Sequence, residues 1–146
     1  MLLDASHEAK LSDFGFAKEC WDYKRHCVIL SQTICGTQPY FSPQLVDHVP
    51  YNAYMADVWA MGVMCFVMLN YRFPFHFEAE PTVWLLEMTN WPTFLRTRFT
   101  PTVSGKAVDL VVAMLNPDEK ARMTLHEALK HDWLAKIADK TAPIDA

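Results

Sequence analysis

The sequence has 146 residues, of which 51% are hydrophobic and 21% charged, and its formal net charge is -4. These values describe one globular domain with enough apolar material for a core, and so mild an acidity gives no reason to expect nucleic-acid binding. No charged start followed by an apolar stretch is visible, so we predict an intracellular, cytoplasmic protein without a secretory signal. The cysteines lack paired metal-ligand spacing, which favours free thiols: Cys20, Cys27, Cys35 and Cys65.

The first fourteen residues predict two short strands around a polar turn. Leu2-Leu3 and Ala9 to Leu11 are the strand segments, and Asp4 to Glu8 supplies the turn. From Gly15 to Val49 neither a helical nor a strand period is sustained. This predicts a long irregular connection, and connections of that length are usually functional or disordered.

The most apolar stretch runs from Met55 to Leu69 and is interrupted only by Asp57 and Gly62. A helix that is apolar all round lies in a core or in lipid, and the run after Asp57 is shorter than the about 20 residues that a bilayer span needs. We therefore predict a buried central helix and no membrane span. Because a carboxylate is almost never buried unpaired, Asp57 is expected to bind donors, with a solvated helix cap as the alternative.

Three further segments follow the central helix. Asn70 to Phe77 reads as an aromatic loop, and a helix is predicted to begin at Pro81 and to continue from Val83 to Met88. Trp91 to Pro101 is expected to be irregular.

Two helix starts are predicted near the C-terminus. Ser104 is a candidate N-cap, and an apolar, core-facing stripe follows it and stops at Pro117. The stripe consists of Ala107, Leu110, Val111 and Met114. Thr124 and Glu127 have the spacing of a capping box, which marks the second helix start. Thr141 to Ala146 is expected to be a frayed tail.

Several motifs occur in a definite order along the chain. Asp13-Phe14-Gly15 follows the second predicted strand, where a carboxylate can hold Mg²⁺ and a glycine lets the backbone pivot. The tripeptide alone is weakly specific. It is followed by Thr33 to Gln44, by Asp57 to Gly62, and by Arg122-Met123-Thr124 ahead of His131 to Leu134.

In this order the motifs resemble the activation segment, central helix and closing helix of a eukaryotic serine/threonine protein kinase. The likeness covers residues 1–135 as a partial kinase domain and leaves 136–146 as a tail. It is closest to the calcium/calmodulin-dependent group, and Lys10 to Phe16 and Leu30 to Thr33 resemble the testis-specific serine/threonine kinases. The resemblance implies a mainly α fold, a partial kinase-like C-lobe with a short N-terminal β element.

The resemblance also implies roles for individual residues. Asp13 would chelate the Mg²⁺ that bridges the ATP phosphates, Phe14 would pack as a switch, and Gly15 completes that cofactor-binding motif. Thr33 falls where the group carries its activating phosphothreonine, and such a phosphate orders a loop by pairing with basic side chains. For each residue the alternative is a packing role or a solvated loop.

The segment after Thr33 would contact the protein substrate. Gly36, Thr37 and Tyr40 would form the wall that receives the residue after the phosphoacceptor, and the Thr37 pattern is of the serine/threonine type. Asp57 would bond the backbone of the catalytic loop, which explains a carboxylate on so apolar a helix.

The sequence departs from the family pattern at Gln44, where the family has a glutamate paired with an arginine that matches Arg122. Breaking one side of a buried ion pair typically costs about 3–5 kcal/mol, although glutamine keeps an acceptor oxygen. Loosened anchoring of the activation segment is therefore a hypothesis.

The second departure concerns parts that the family carries upstream of Asp13. The sequence has no glycine-rich loop, no ATP-anchoring lysine, no catalytic base and no second Mg²⁺ ligand ahead of this motif. Because phosphoryl transfer depends on those parts, we expect this chain to be inactive alone, with weak or no ATP and Mg²⁺ binding. One side of the 55–69 helix should then lack its cover, which implies the missing part of the kinase or a protein partner.

Two functions remain open. The first is the C-lobe portion of a serine/threonine kinase whose complete form binds ATP and Mg²⁺ and phosphorylates proteins. The second is a pseudokinase-like, non-enzymatic scaffold that binds a partner through its substrate-facing helix and aromatic loop.

Overall fold

The computed structural model describes residues 2–135, so the predicted tail at 136–146 lies outside the described part. Four strands form two separate antiparallel pairs, β1 with β2 and β3 with β4. The strands are β1 (Leu2–Leu3), β2 (Ala9–Lys10), β3 (Trp21–Asp22) and β4 (Cys27–Val28). The helices are α1 (Pro43–Val46), α2 (Ala53–Asn70), α3 (Pro81–Thr89), α4 (Trp91–Arg98), α5 (Gly105–Met114) and α6 (Leu125–Leu129).

The predicted N-terminal hairpin is confirmed. Leu2 pairs with Lys10 and Leu3 with Ala9, and one Asp4 carboxylate oxygen accepts the backbone N–H of Ser6 and of Glu8, each at 2.9 Å. An aspartate that binds backbone donors two residues on is a common way to fix a turn. The hairpin ends at Lys10, and the Asp13-Phe14-Gly15 motif follows it after Leu11 and Ser12.

The prediction of an irregular connection from Gly15 to Val49 is wrong in part. It contains the β3–β4 hairpin, a 3-10 turn at Gln38–Tyr40 and α1. The Asp22 carboxylate holds the hairpin turn by accepting the N–H groups of Lys24 and Arg25. Strands of two residues are too short to show a period, which is why the pattern missed them.

Helix α2 is the central helix, two residues longer at its start than predicted and one longer at its end. Asn52 caps it by accepting the Tyr54 N–H at 3.0 Å. One face is buried through Val58, Trp59, Val63 and Phe66. The opposite face is exposed along Tyr54, Asp57, Met61 and Met68. The prediction that the helix is buried on all sides is therefore wrong, whereas the expectation that one side lacks its cover agrees with this exposed face.

By length and mean hydropathy (1.4), α2 is the one helix of the described residues that could cross a membrane. The core helix of a folded domain passes the same test. Residues on its inner face pack in the core: Trp59 stacks on Phe75 of the aromatic loop at 5.5 Å between ring centroids, and Phe66 meets Phe99, directly after α4, edge-on at 4.8 Å. The structure therefore places α2 in the core of the fold.

The close approach of α5 to α2 depends on Gly62. A Cβ atom at this position would lie 3.0 Å from side-chain atoms of both Met114 and Leu115. The missing side chain lets the two helices pack closely, and Leu110, Val111 and Leu115 are almost completely buried.

Of the predictions for the C-terminal half, the two helix caps are confirmed and the irregular stretch is wrong. The Ser104 cap is confirmed by its acceptance of the Ala107 N–H at 3.3 Å, and both arms of the Thr124–Glu127 capping box are formed. The irregular stretch predicted from Trp91 to Pro101 is wrong, because α4 occupies Trp91–Arg98. Half of its residues are polar and no strong apolar stripe is visible, yet Leu95 is completely buried in the core.

Candidate functional site

The Asp13-Phe14-Gly15 motif lies in an exposed turn after β2. Asp13 has a positive φ of 66°, and one of its carboxylate oxygens accepts the Gly15 N–H at 3.3 Å. Phe14 is 69% exposed rather than packed. Within residues 2–135 no group of three or more His, Cys, Asp or Glu side chains could hold a metal ion.

This donor set fits a partial Mg²⁺ site only. Magnesium is often bound by one or two carboxylates together with substrate phosphates and waters, so Asp13 suits one ligand of a metal–phosphate complex. A single exposed carboxylate does not form a complete site for the free ion.

A cleft of about 500 Å³ gathers half of the residues that the sequence singled out as site residues. Phe14, Gly36, Thr37, Tyr40 and Asp57 all contribute to its walls, although they come from three separate stretches of the chain. Asp13 and Thr33 are not among the lining residues. The cleft thus joins Phe14 of the metal motif, the predicted substrate wall and the exposed face of α2.

The predicted substrate wall is fixed by its own backbone and by the core. Gly36 has a φ of 108°, a conformation that favours glycine, and the Tyr40 N–H donates to the Thr37 carbonyl at 3.0 Å. The Tyr40 ring meets Phe73 edge-on at 5.7 Å. The aromatic loop after α2 therefore supports the wall from behind.

Asp57 borders the cleft from the exposed face of α2. It is exposed rather than buried, and among the described residues no hydrogen bond reaches its carboxylate, so the expectation that it binds donors within the chain is wrong. The neighbouring protein atoms nevertheless displace water from the carboxylate and raise the pKa of Asp57 above its usual value. Its predicted bond to a catalytic loop stays a prediction.

Thr33 is exposed, but its backbone is held at both ends. Its N–H donates to the Ser31 hydroxyl at 3.2 Å, and its carbonyl accepts the Tyr51 hydroxyl at 2.7 Å. Lys18 donates to the same Ser31 hydroxyl and lies 5.8 Å from the centre of the Tyr51 ring. Lys18 was not singled out from the sequence, although it is the only basic residue between Gly15 and Trp21.

Arg122 and Gln44 connect α1 with the loop after α5 through hydrogen bonds. Arg122 is 3% exposed, and its Nη2 donates to the Gln44 side-chain oxygen at 3.1 Å. The Gln44 amide nitrogen donates in turn to the Pro117 carbonyl at 2.7 Å. Both ends of the glutamine amide are therefore bonded.

The remaining contacts of Arg122 are also to neutral groups. Its Nε donates to the Asn116 carbonyl at 2.7 Å and its Nη1 to the Met55 carbonyl at 2.8 Å, while the guanidinium carbon lies 5.1 Å from the Trp59 ring centre. Burial lowers the pKa of Arg122 to about 10, although the charges of Glu119 and Asp118 act in the opposite direction.

Comparison with known proteins identifies the class. The family model of the protein kinase domain matches residues 1–134. The chain therefore belongs to the protein kinase family, and the predicted mainly α, kinase-like C-lobe fold is confirmed.

The similar curated proteins are serine/threonine kinases. The chain is 31% identical over 134 residues to testis-specific serine/threonine-protein kinase 2 of Mus musculus, covering 92% of this chain and 37% of that protein. It is 36% identical over 128 residues to testis-specific serine/threonine-protein kinase 3 of Mus musculus, covering 86% and 44%. It is 30% identical over 143 residues to serine/threonine-protein kinase Aurora-2 of Arabidopsis thaliana, covering 95% and 45%.

These matches support a eukaryotic serine/threonine kinase-like protein, as the motifs predicted. The chain spans less than half the length of each of these curated relatives.

Proposed function

We propose that this chain is the C-lobe portion of a kinase that transfers phosphate from ATP to serine or threonine in proteins. The observation that carries the proposal is the shared cleft, in which Phe14 of the metal motif, the substrate wall and Asp57 meet. A site that transfers phosphate to a protein needs a metal ligand and a surface that positions the acceptor chain. The cleft supports the second requirement, and Asp13, which directly precedes the cleft-lining Phe14, supports the first.

Asp13 and the site residues that line the cleft each have a defined part in the proposal. Asp13 would hold the Mg²⁺ of bound ATP, and this ion supplies neutralisation of the phosphate charge. The Gly15 N–H fixes one oxygen of the Asp13 carboxylate and leaves the other without a hydrogen bond from the described residues. Gly36, Thr37 and Tyr40 would hold the substrate backbone beside the acceptor, and Asp57 would accept donors from the catalytic loop.

The 146-residue chain alone is proposed to have no phosphotransfer activity and at most weak affinity for ATP. Its sequence contains no His-Arg-Asp triplet and no glycine-rich loop ahead of Asp13. A carboxylate that binds Mg²⁺ cannot also position the rest of ATP and accept the proton of the substrate hydroxyl.

The proposal is tested by restoring those parts. Fusing the upstream half of the similar testis-specific serine/threonine-protein kinase 3 to this chain should give a protein that phosphorylates a serine or threonine peptide. Asp13→Asn in that fusion should lower the rate by about 100-fold or more, the scale of losing one group that stabilises transition-state charge. Asp109→Asn, the same change at an exposed α5 residue paired with Arg96, is the control and should leave the rate unchanged.

A folded fusion that remains fully active after Asp13→Asn would contradict the metal role of Asp13. A folded fusion that binds ATP but phosphorylates no peptide would contradict the substrate role of the cleft.

Thr33 is proposed as the activating phosphorylation site, with Lys18 as the basic group that receives the phosphate. The two residues share Ser31 and Tyr51 as neighbours, so a phosphate on Thr33 lies within reach of the Lys18 ammonium. A chain phosphorylated at Thr33 should show slower amide hydrogen exchange across 18–33 than the unmodified chain. Lys18→Gln should abolish that protection, whereas Lys24→Gln at the hairpin turn should preserve it.

The second candidate function is a non-enzymatic scaffold. The observation in its favour is the exposed apolar stripe on α2, where Tyr54 is 48%, Met61 38% and Met68 61% exposed. A stripe of this kind is suited to a protein partner as well as to the rest of a kinase. The size of the native protein distinguishes the two functions, because a scaffold of this length works without the missing kinase parts.

A further inference from the structure

The buried guanidinium of Arg122 raises the question of which group balances its charge. In the described part of the chain, no carboxylate oxygen lies within 4.0 Å of an Arg122 nitrogen. Its hydrogen bonds go to three backbone carbonyls and to the neutral Gln44 side chain. A charge buried without a counter-charge is costly, so a carboxylate slightly farther away gains importance.

Glu119 is that carboxylate. It lies on the same loop as Arg122, is partly buried, and accepts the Asn52 backbone N–H with both oxygens, at 3.2 and 3.3 Å. Asn52 is the N-cap of α2, where a negative charge is favourable. Arg122 binds the Met55 carbonyl in the first turn of the same helix.

Glu119 and Arg122 therefore hold opposite polar groups at the start of α2. The carboxylate receives an N–H group, and the guanidinium donates to a carbonyl group. Of the two acidic residues that act on Arg122, Glu119 has the larger effect, and Asp118 is exposed.

We propose that Glu119 is the counter-charge of Arg122 and, through it, a positioning residue for Gln44 and α1. Arg122 joins the two sites, since it donates to Gln44 while the Glu119 charge balances its own. The inference concerns how the end of the activation segment is anchored and does not depend on the proposed phosphotransfer.

The proposal predicts that positions 44 and 119 are energetically coupled. Gln44→Glu places a second carboxylate on a guanidinium that Glu119 already balances, and it removes the amide donor to Pro117. We expect little gain in stability from this change alone, which would also count against loosened anchoring at Gln44. In a Glu119→Gln background the same change restores the full counter-charge that Glu119 no longer supplies, while the glutamine introduced at position 119 keeps an acceptor for the Asn52 N–H.

The test is a double-mutant cycle on the 146-residue chain by denaturant unfolding. In the Glu119→Gln background, Gln44→Glu should stabilise the chain and so lower the unfolding equilibrium constant. The lowering should be greater by about threefold or more than the change that Gln44→Glu causes in the parent, which is within the range of couplings between residues in one network. Asp109→Asn is the control background, since the Asp109 charge is not among those acting on Arg122, and the effect of Gln44→Glu should be the same there as in the parent. Additive effects at 44 and 119, or coupling of the opposite sign, would overturn the proposal.

A second measurement does not depend on the folding of the Glu119→Gln variant. Carboxyl-carbon NMR titration of the folded chain should show a higher pKa for Glu119 in the Gln44→Glu variant than in the parent, because the two carboxylates then share one cation. An unchanged pKa of Glu119 would mean that it is independent of the Arg122–Gln44 contact and would overturn the proposal. If Glu119→Gln fails to fold and the double variant folds, that rescue supports the same coupling.

Discussion

Arg122 shows how much of the anchoring depends on the shape of one side chain. Its planar guanidinium donates from three nitrogens to four acceptors, and its face lies near the Trp59 ring. A lysine carries the same charge but has one nitrogen, so it cannot reach this set of acceptors.

Arg122→Lys should therefore lower the free energy of unfolding by at least about 2 kcal/mol, because buried carbonyls lose charged donors. Arg96→Lys is the matched control. Arg96 is half-exposed and paired with the exposed Asp109, so its substitution should change the free energy by no more than about 0.5 kcal/mol. Equal effects of the two substitutions in urea unfolding would contradict this role of Arg122.

Asp57 gives the folded chain a pH dependence with a definite sign. Burial raises its pKa in the folded chain above the ordinary value of 3.8, so the folded state binds the Asp57 proton more readily than the unfolded state does. Asp57 should therefore destabilise the chain above its folded-state pKa. This destabilisation should shrink as pH falls through that pKa and vanish below the unfolded-state value.

Unfolding of the parent and of Asp57→Asn, compared from about pH 7 to about pH 3.5, tests this sign. The parent should gain stability relative to the variant as the pH falls. The opposite trend would mean that Asp57 is stabilised as a carboxylate by donors within the chain. In a complete kinase, donors from the catalytic loop should reverse the trend.

At the scale of elements, the contact between α2 and α5 depends on the absence of a side chain at Gly62. Gly62→Ala should destabilise the chain by about 1–3 kcal/mol, because the new Cβ would lie 3.0 Å from Met114 and Leu115. Gly105→Ala in the first turn of α5 is the control. A Cβ there meets nothing within 4 Å, so this change should be neutral or stabilise by up to about 1 kcal/mol. A Gly62→Ala chain as stable as the parent would show that the helix contact can adjust.

The elements also show which parts of the fold can be predicted from the sequence and why other parts cannot. Local rules located the first hairpin, the Ser104 cap and the capping box at Thr124, because turn and cap residues act on neighbouring backbone groups. Helix α4 was not predicted, because its position depends on contacts with residues that are distant in the sequence. The Trp91 indole, for example, donates to the Val112 carbonyl at 2.8 Å.

The candidate site divides in the same way. Its residues were found from ordered motifs, but the assembly of half of them into one cleft depends on α2 and the aromatic loop. The hydrogen bond between Lys18 and Ser31 joins residues 13 positions apart, and no local pattern indicated it.

At the scale of the whole molecule, the described chain leaves a number of large apolar side chains exposed. Leu2, Leu3, Leu11, Phe14 and Phe16 are each at least 64% exposed near the N-terminus, and the stripe on α2 is exposed as well. Isolated apolar residues are normal on a surface, whereas a concentration of them marks a contact with other protein. This is the arrangement expected if the chain works as part of a larger kinase.

The intact mass of the native protein tests that central claim most directly. The protein would be captured with an antibody against residues 124–134 and measured by mass spectrometry. Because the chain spans 37 to 45% of the compared relatives, we expect a species about two to three times the 16.8 kDa of this sequence. A native species of 16.8 kDa alone would contradict the kinase portion and favour the scaffold.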